Sequence, residues 1–291
     1  MKTVLVSGVS GLIGFEVANL LLENQYEVIG ISRSNPNITH RNFEFISCDF
    51  EDKMFTNHLP KKVDAIFHFA QSFNYKNFPQ SSQEVFDVNA NSTLKLLNYG
   101  IKANCKKFVY ASSGGVNPLS ENKIPSTTPL LFGEHLNFYL STKFISEVLV
   151  NNYKAFFNTL ICRPYFVFGK RQQASLLFSR LGESVLNGKA ITLQQKEGIV
   201  INPIFVEDAA QAIVKAFESS NISILNIAGN QILTLKQIVD VIAKFYKVTP
   251  VYKYQDTEAG KLVAGISELK EVIRSKYQFT DFSEAVSKTF S

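Results

Sequence analysis

Short apolar runs alternate with amphipathic segments along the first two thirds of the chain. The runs are rich in Val, Ile and Phe and are bounded by polar residues or glycine, as buried strands are. The segments between them repeat their apolar residues at helical spacing. This pattern predicts strands at 4–7, 26–31, 43–50, 65–70 and 108–113, and helices at 12–23, 82–103, 134–157 and 234–245. Strands that alternate with helices indicate an α/β fold with a doubly wound parallel sheet.

The junction of the first strand with the first helix carries three glycines, Gly8, Gly11 and Gly14. Glycines here permit a sharp turn, let the backbone approach a pyrophosphate and let the helix pack closely on the strand. The N–H groups at the start of the helix then face the phosphates. An ordinary strand-to-helix turn is the alternative interpretation. The position directly after the first strand favours a dinucleotide-binding cradle.

The end of the second strand bears on which dinucleotide binds. An acidic residue at this place binds the adenine ribose of NAD, whereas an arginine accommodates the 2′-phosphate of NADP. The chain has Ser32, Arg33 and Ser34 there, and no Asp or Glu. NADP is therefore favoured over NAD, with a surface arginine as the alternative interpretation of Arg33.

Hydroxyl and amine side chains follow the fifth strand. Ser112 and Ser113 end that strand, a polar loop spans 117–133, and Tyr139 and Lys143 share one face of the next helix. We expect the lysine ammonium to lower the pKa of the tyrosine from its ordinary value of about 10. Tyr139 would then exchange a proton with a carbinol while a nicotinamide exchanges a hydride at the same carbon. Ser113 would hydrogen-bond to the reacting oxygen.

Composition argues against several other classes of protein. With 45% hydrophobic and 19% charged residues, the chain is typical of a globular protein with one large or two coupled domains. The net charge of +5 is spread over short clusters, which argues against nucleic acid as a partner. The first strand starts at once and no apolar run approaches membrane-spanning length, so we expect a cytoplasmic protein that does not bind membranes. Three widely separated cysteines predict reduced thiols and no metal site.

The order of these motifs resembles the extended short-chain dehydrogenase/reductases, in the branch of NAD(P)-dependent epimerases and dehydratases that act on nucleotide sugars. Segments 159–169 and 203–210 are similar to later motifs of that family. The resemblance implies a Rossmann domain over 1–169, joined by 203–228, and a smaller α+β substrate lobe formed by 170–202 and 229–291. It also implies a homodimer packed through the helices at 82–103 and 134–157. We expect outward apolar side chains on these helices at Val85, Leu96, Tyr99, Phe138, Phe144, Ile145 and Phe156.

The family's roles carry over to the residues of the matching motifs. As catalytic residues the resemblance implies Ser113, Tyr139 and Lys143. For the cofactor it implies Gly8, Ser10, Gly11, Leu12, Ile13, Gly14, Ser32, Arg33, Asp49, Phe50, Phe69, Ala70, Asn89, Tyr139, Lys143 and Pro164. For the substrate it implies Ser112, Gly114, Tyr165 and Phe166. His68 is expected to be a packed histidine rather than a catalyst.

Several positions depart from the family pattern. Ile201 and Phe166 stand where many members carry the Arg and Asn that grip a substrate diphosphate. The alternative cations for that diphosphate are Lys170, Arg171 and Arg180, each of which could equally be a solvated surface residue. Gly114 and Gly115 stand where 4,6-dehydratases carry an Asp-Glu pair, and this loop lacks the Cys of the double epimerases. We therefore expect hydride transfer at one carbon of a nucleotide sugar, namely C4, by an epimerase or a ketosugar reductase. The alternatives are a reductase of a non-sugar carbonyl and a non-catalytic NADP-sensing module, although such sensors typically lose the Tyr or the Lys.

Overall fold

The computed structural model describes residues 2–219, 222–273 and 278–291. Its strands are β1 (Thr3–Ser7), β2 (Glu27–Ser32), β3 (Phe43–Ser47), β4 (Ala65–His68), β5 (Lys107–Ala111), β6 (Asn158–Pro164), β7 (Val167–Phe168), β8 (Ile191–Gln194), β9 (Val200–Ile201), β10 (Ile204–Phe205), β11 (Ile224–Ile227), β12 (Leu233–Thr234), β13 (Tyr252–Gln255) and β14 (Lys261–Leu262). Its α-helices are α1 (Leu12–Glu23), α2 (Ser82–Phe86), α3 (Ser92–Lys102), α4 (Phe138–Asn152), α5 (Leu177–Leu186), α6 (Val206–Glu218), α7 (Leu235–Tyr246), α8 (Ser267–Ile273) and α9 (Phe282–Phe290).

The main sheet has seven strands in the order β11-β6-β5-β4-β1-β2-β3, and each pairs in parallel with its neighbours. Helices α1 and α6 contribute to the apolar core on one face, and α3 and α4 to the core on the other. Burial on both faces explains why the strands read as nearly continuous apolar runs. The expected doubly wound α/β fold is confirmed. Because the chain continues from β1 to β2 on one side and places β4 on the other, a crevice opens at the carboxyl ends of β1 and β4.

A third apolar cluster, separate from the two cores of the main sheet, joins α5, α7 and α9 with β8 and β10. Its centre is aromatic, with the rings of Phe168 and Phe178 stacked 4.3 Å apart and Phe282 5.5 Å from Phe168. Helix α8 lies elsewhere, because its Leu269 and Ile273 belong to the core on the α6 face of the main sheet. The division of the chain into two domains remains a proposal, with α8 lying against the Rossmann core.

Two helices differ from the predicted ones by more than a single residue at their ends. The helix expected over 82–103 is interrupted by a π-helical turn, Asp87–Asn91, that joins α2 to α3. At its end the hydroxyls of Ser92 and Thr93 donate to the backbone carbonyls of Val88 and Asn89, at 2.6 and 2.7 Å. The helix expected from residue 134 begins at Phe138, where the side chain of Asn137 caps it by accepting from the N–H of Leu140.

The expectation that Val85, Leu96 and Tyr99 face outward is wrong. All three are buried, and Leu96 and Tyr99 belong to the core on the α3 face of the sheet. The hydroxyl of Tyr99 also bonds within the chain, since it donates to the carbonyl of Pro60 at 2.7 Å. Ile145 and Phe156 are exposed, as expected. Phe86 and Val148 are exposed as well, and we call these four residues of α2, α4 and the turn after α4 the helical patch.

Candidate active site

The glycine-rich turn between β1 and α1 brings backbone against backbone. Gly8 has a φ of +69°, and a Cβ there would lie 2.7 Å from the backbone nitrogen of Ala70 after β4. A Cβ on Gly14 would lie 2.3 Å from the carbonyl oxygen of Gly8. Gly11 is the N-cap residue of α1 and offers no side chain to its first N–H groups. These N–H groups are open to an anion, so the turn fits the pyrophosphate of a dinucleotide.

A cleft of about 570 Å³ opens beside this turn at the carboxyl ends of the central strands. Most residues predicted for the cofactor line it, and so do three predicted for chemistry or substrate. The predicted residues in its lining are Gly8, Ser10, Gly11, Leu12, Ile13, Gly14, Ser32, Arg33, Asp49, Phe50, Phe69, Ala70, Ser112, Ser113, Tyr139 and Pro164. The fold thus gathers residues from seven separate segments of the chain at one edge of the sheet.

Tyr139 lies at the cleft with Gln71 and Tyr75 around it. Its hydroxyl donates to the side-chain oxygen of Gln71 at 3.0 Å, and its ring centroid is 4.7 Å from that of Tyr75. Ser113 lines the cleft as well, and its hydroxyl oxygen accepts from the N–H of Gly115 at 3.2 Å. A hydroxyl donor and a phenol therefore share the catalytic end of the cleft.

The expected lowering of the tyrosine pKa is wrong. Burial of the hydroxyl raises the pKa of Tyr139 and the neighbouring Tyr75 adds to the rise, whereas a hydrogen bond with Ser113 opposes it. Lys143 does not counter this, because burial lowers its own pKa to about 7. With a pKa of about 7 the lysine is only partly protonated at neutral pH, so its charge stabilises the phenolate less than a fully charged ammonium would.

Lys143 lies beneath the cleft and does not line it. Its side chain is buried, its ammonium donates to the carbonyl of Ala111 at the end of β5 at 2.9 Å, and it lies 5.9 Å from the ring centroid of Tyr139. Glu147, one turn further along α4, partly offsets the effect of burial on the pKa of the lysine. Glu147 is held in turn by Arg163 of β6, with nitrogen–oxygen distances of 3.0 and 2.8 Å. This buried ion pair fixes α4 against the sheet.

Asn89 and His68 support the cleft from below. Asn89 accepts from the N–H of Ser72 at 2.9 Å and donates to the hydroxyl of Thr142 at 3.0 Å, so it ties the segment after β4 to α4. It does not line the cleft. His68 is buried between Ser7 at 2.6 Å and Thr93 at 3.0 Å. Burial and the nearby Lys143 lower the pKa of His68 to about 3, so it is the packed, neutral histidine that was expected.

Gly114, Tyr165 and Phe166 do not line the cleft. Gly114 is buried under the ring of Tyr165, from which a Cβ on the glycine would lie 2.5 Å away. Tyr165 is buried and accepts from the amide of Asn117 at 3.0 Å. Phe166, at a φ of +48°, packs against the aromatic cluster of the lobe. These three residues shape the wall behind the cleft, because the residues facing it are their neighbours in sequence, Ser113 and Pro164.

Sequence reasoning missed part of the lining. The further residues are Ser34, Asn35, Gln71, Phe73, Val88, Ala111, Val167, Arg171, Gln173 and Leu176. Gln71 and Phe73 directly follow the predicted fourth strand, and a strand end at the ligand-binding edge was the available signal for them. Arg171, Gln173 and Leu176 belong to the chain after β7. Arg171 was expected only as an alternative cation for a substrate diphosphate, and nothing in the local pattern indicated which way Gln173 and Leu176 face.

Within the part of the chain that the structure describes, no helix is long and apolar enough to cross a membrane. No group of three or more His, Cys, Asp or Glu side chains in the described residues is placed to hold a metal ion.

Proteins similar to this chain include epimerases and a steroid dehydrogenase. The sequence profile of the NAD dependent epimerase/dehydratase family matches residues 4–228. A putative UDP-glucose 4-epimerase of Methanocaldococcus jannaschii is 26% identical over 250 residues, which cover 82% of this chain and 81% of the relative. The 3 beta-hydroxysteroid dehydrogenase/Delta 5-->4-isomerase of Mycobacterium tuberculosis is 27% identical over 222 residues, 73% of this chain and 59% of the relative. Among solved structures, a Bacillus cereus UDP-glucuronic acid 4-epimerase in complex with UDP-glucuronic acid and NAD has a TM-score of 0.84 at 22% identity, covering 99% of this chain and 97% of that one.

Proposed function

This chain belongs to the NAD dependent epimerase/dehydratase family, and from that premise we propose that it transfers a hydride at one carbon, C4, of a nucleotide sugar. The observation that carries the proposal is the meeting of Tyr139 and Ser113 with the glycine-rich turn in one cleft. A bound nicotinamide would supply or accept the hydride. The chain's own residues would bind the substrate oxygen, orient it and move its proton.

Tyr139 is the proton donor or acceptor in this proposal. In the reducing direction its hydroxyl gives a proton to the carbonyl oxygen as the carbonyl carbon gains the hydride, and the alcohol forms. In the oxidising direction the same proton returns from the alcohol to the phenolate. Because burial raises the pKa of Tyr139, the phenol is protonated at neutral pH and ready to act as the acid.

Ser112 and Ser113 would hold the reacting oxygen in place. Ser113 already accepts a hydrogen bond from Gly115, so its own proton is available to a substrate oxygen. The hydroxyl of Ser112 is buried beside the cleft, and among the described residues no protein group pairs with it. A buried hydroxyl without a partner is costly, and a substrate hydroxyl or carbonyl would satisfy it.

Dehydration at C5 and C6 is not part of the proposal. That reaction needs an acid and a base beside the catalytic hydroxyl, where this chain has Gly114 and Gly115. The ring of Tyr165 occupies the place of a side chain at Gly114, and Leu140 lies 3.0 Å from a Cβ built on Gly115. Acidic side chains at these positions would therefore require repacking of the wall.

A reductase of a non-sugar carbonyl is the second candidate. Phe166 and the buried Ile201 provide neither a cation nor an amide for a substrate diphosphate. Phe73, Val88 and Leu176 give the cleft an apolar side, and a steroid dehydrogenase is among the relatives. A non-catalytic sensor is disfavoured, because the chain retains Ser113, Tyr139 and Lys143 together.

We also propose NADP as the preferred cofactor, bound at its adenosine end by Ser32, Arg33 and Ser34. All three line the cleft, Arg33 is exposed at the end of β2, and the hydroxyl of Ser32 donates to the carbonyl of Ser34 at 2.8 Å. We propose further that the protein forms a homodimer through the helical patch and works in the cytoplasm. The three cysteines of the chain are buried and unpaired, as suits a reducing compartment.

The experiment is incubation of the purified protein with UDP-, GDP- and dTDP-sugars, their 4-keto forms and a set of ketosteroids, each with NADPH or NADP⁺. Products are identified by mass spectrometry and NMR. A C4 alcohol formed with one NADPH consumed per product supports the reductase, and an inverted C4 centre without net consumption supports the epimerase. Turnover of ketosteroids alone would favour the second candidate over the nucleotide-sugar proposal. A 4-keto-6-deoxysugar product would show dehydration and would contradict the nucleotide-sugar proposal as stated.

A further inference from the structure

Two arginines, Arg33 and Arg171, line the cleft together with a single carboxylate, Asp49, among the described residues. Arg33 follows β2, where the adenine ribose of a dinucleotide binds in this kind of fold. Arg171 comes from a different part of the chain, between β7 and α5, yet it reaches the same side. Its Nη2 lies 3.5 Å from the carbonyl oxygen of Pro36, three residues after Arg33.

The guanidinium of Arg171 lies over the ring of Phe15 of α1. The central carbon of the guanidinium lies 3.9 Å from the centroid of the Phe15 ring. Stacking uses the face of the guanidinium, so it leaves the N–H groups at the edge free for an anion. Orientation before binding lowers the entropy that an anion must overcome when it binds.

Two carboxylates interact with these arginines from outside the lining. The charge of Arg171 acts on Glu16, and that of Arg33 acts on Glu51. Neither glutamate lines the cleft, so neither competes for the surface that a ligand would contact. The adenosine end of the cleft thus presents two cations and the hydroxyls of Ser32 and Ser34.

Arg171 lies on the side of the cleft that is far from the catalytic end, where the substrate would react. In the sheet order β5-β4-β1-β2, the end of β2 is three strands away from the end of β5, where Ser113 stands. Neighbouring strands are about 4.8 Å apart, so the two ends are separated by about 14 Å. A cation beside Pro36 is therefore placed for the cofactor rather than for the reacting sugar.

We propose that Arg171 is a second ligand of the 2′-phosphate of NADP, acting with Arg33 from the opposite side of the ribose. This inference rests on the proposed preference for NADP. A phosphate monoester carries a charge of about −1.5 to −2 at neutral pH and pairs in bidentate fashion with guanidinium groups. NAD has a hydroxyl at this place and would gain little from either arginine. The selectivity for NADP is then built partly by a residue outside the Rossmann segment that was predicted to set it.

Calorimetric titration of the full-length protein tests this with two matched pairs of ligands, NADP⁺ against NAD⁺ and 2′,5′-ADP against 5′-AMP. The variants are Arg171→Ala, Arg171→Lys and Arg33→Ala, with Arg180→Ala as the control, since Arg180 is exposed on α5 and outside the lining. Arg171→Ala is expected to weaken NADP⁺ and 2′,5′-ADP about tenfold or more, which is the worth of a hydrogen bond to a charged group. Its affinities for NAD⁺ and 5′-AMP are expected to stay within about twofold of the wild type, because only the 2′-phosphate is lost as a partner. Arg171→Lys should recover part of the loss, and Arg180→Ala should change none of the four affinities.

Equal losses for NADP⁺ and NAD⁺ would overturn the proposal, because Arg171 would then serve a part that both cofactors share. A wild-type protein that binds 2′,5′-ADP no better than 5′-AMP would overturn it as well. Weaker binding of UDP with an unchanged ratio of NADP⁺ to NAD⁺ affinity would assign Arg171 to a substrate diphosphate instead. None of these results depends on turnover, so a failure here is distinct from a failure of the hydride-transfer proposal.

Discussion

His68 and Lys143 are titratable side chains buried beneath the cleft, and each loses its charge more readily than it would in water. For His68 the consequence is a dependence of stability on pH. Its pKa is lowered to about 3 in the folded protein, whereas an unfolded chain has a histidine pKa of about 6.5. Between these values the unfolded chain binds a proton that the folded chain does not.

The contribution of neutral His68 to the free energy of unfolding should therefore be complete above pH 6.5. Below that pH the contribution should fall by about 1.4 kcal/mol for each pH unit. His68→Gln keeps a neutral hydrogen-bonding side chain and removes the titration, so its slope should be shallower by one proton. Urea denaturation at several pH values between 7 and 4 measures the slopes, with the exposed His58→Gln as control. Identical slopes for the wild type and His68→Gln would show that His68 takes up a proton in the folded state.

At the scale of elements, the turn between β1 and α1 depends on backbone contact. A Cβ on Gly14 would lie 2.3 Å from the carbonyl oxygen of Gly8, and backbone cannot yield as a flexible side chain does. We expect Gly14→Ala to lower the free energy of unfolding by about 1–3 kcal/mol and to abolish dinucleotide binding. Thermal denaturation and calorimetric titration with NADP⁺ measure the two effects. Wild-type affinity in this variant would mean that the turn does not cradle the cofactor.

The same elements show how far the sequence alone reaches. The bounds of α1 were predicted correctly, because the three glycines mark its start without ambiguity. The third and fourth strands end earlier than predicted. Phe50, Phe69 and Ala70 continue the apolar runs, but they lie after the last paired residues and line the cleft. The π-helical turn was missed, since Ser92 and Thr93 look like ordinary polar helix residues until their bonds to the backbone are seen.

At the scale of the molecule, long-range contacts escaped prediction. Local motifs identified the fold and most of the cleft lining, because each motif carries its own strand end or helix start. The contact of Gln71 with Tyr139 joins residues that are 68 positions apart in the sequence. The contact of Arg171 with Pro36 joins residues that are 135 positions apart. No local pattern specifies such pairs. The outward faces of the helices were predicted only in part, since Ile145 and Phe156 are exposed as expected. Val85, Leu96 and Tyr99 are buried instead, because a helix packed on a sheet and on a neighbouring helix has a wide buried face.

The helical patch predicts the oligomeric state. Ile145 and Val148 are 41% and 49% exposed on α4, and Phe156 is 61% exposed after it, so a monomer would leave these apolar side chains in water. Light scattering should give twice the 32.6 kDa mass of one chain. Ile145→Glu should give the mass of a monomer, whereas Leu186→Glu, at an exposed apolar position of α5, should leave the dimer intact. A wild-type monomer would contradict the proposed dimer.

The central claim is that Tyr139 moves the proton in a hydride transfer, and single-turnover oxidation of NADPH by Tyr139→Phe tests it most directly. The substrate is the best one found in the panel, and Tyr75→Phe is the control because its ring packs on that of Tyr139. Loss of a positioned acid should slow the single turnover by about 100-fold to 10,000-fold, while the affinity for NADP⁺ and the rate of Tyr75→Phe remain close to the wild type. A Tyr139→Phe protein that oxidises NADPH at nearly the wild-type rate would contradict the account.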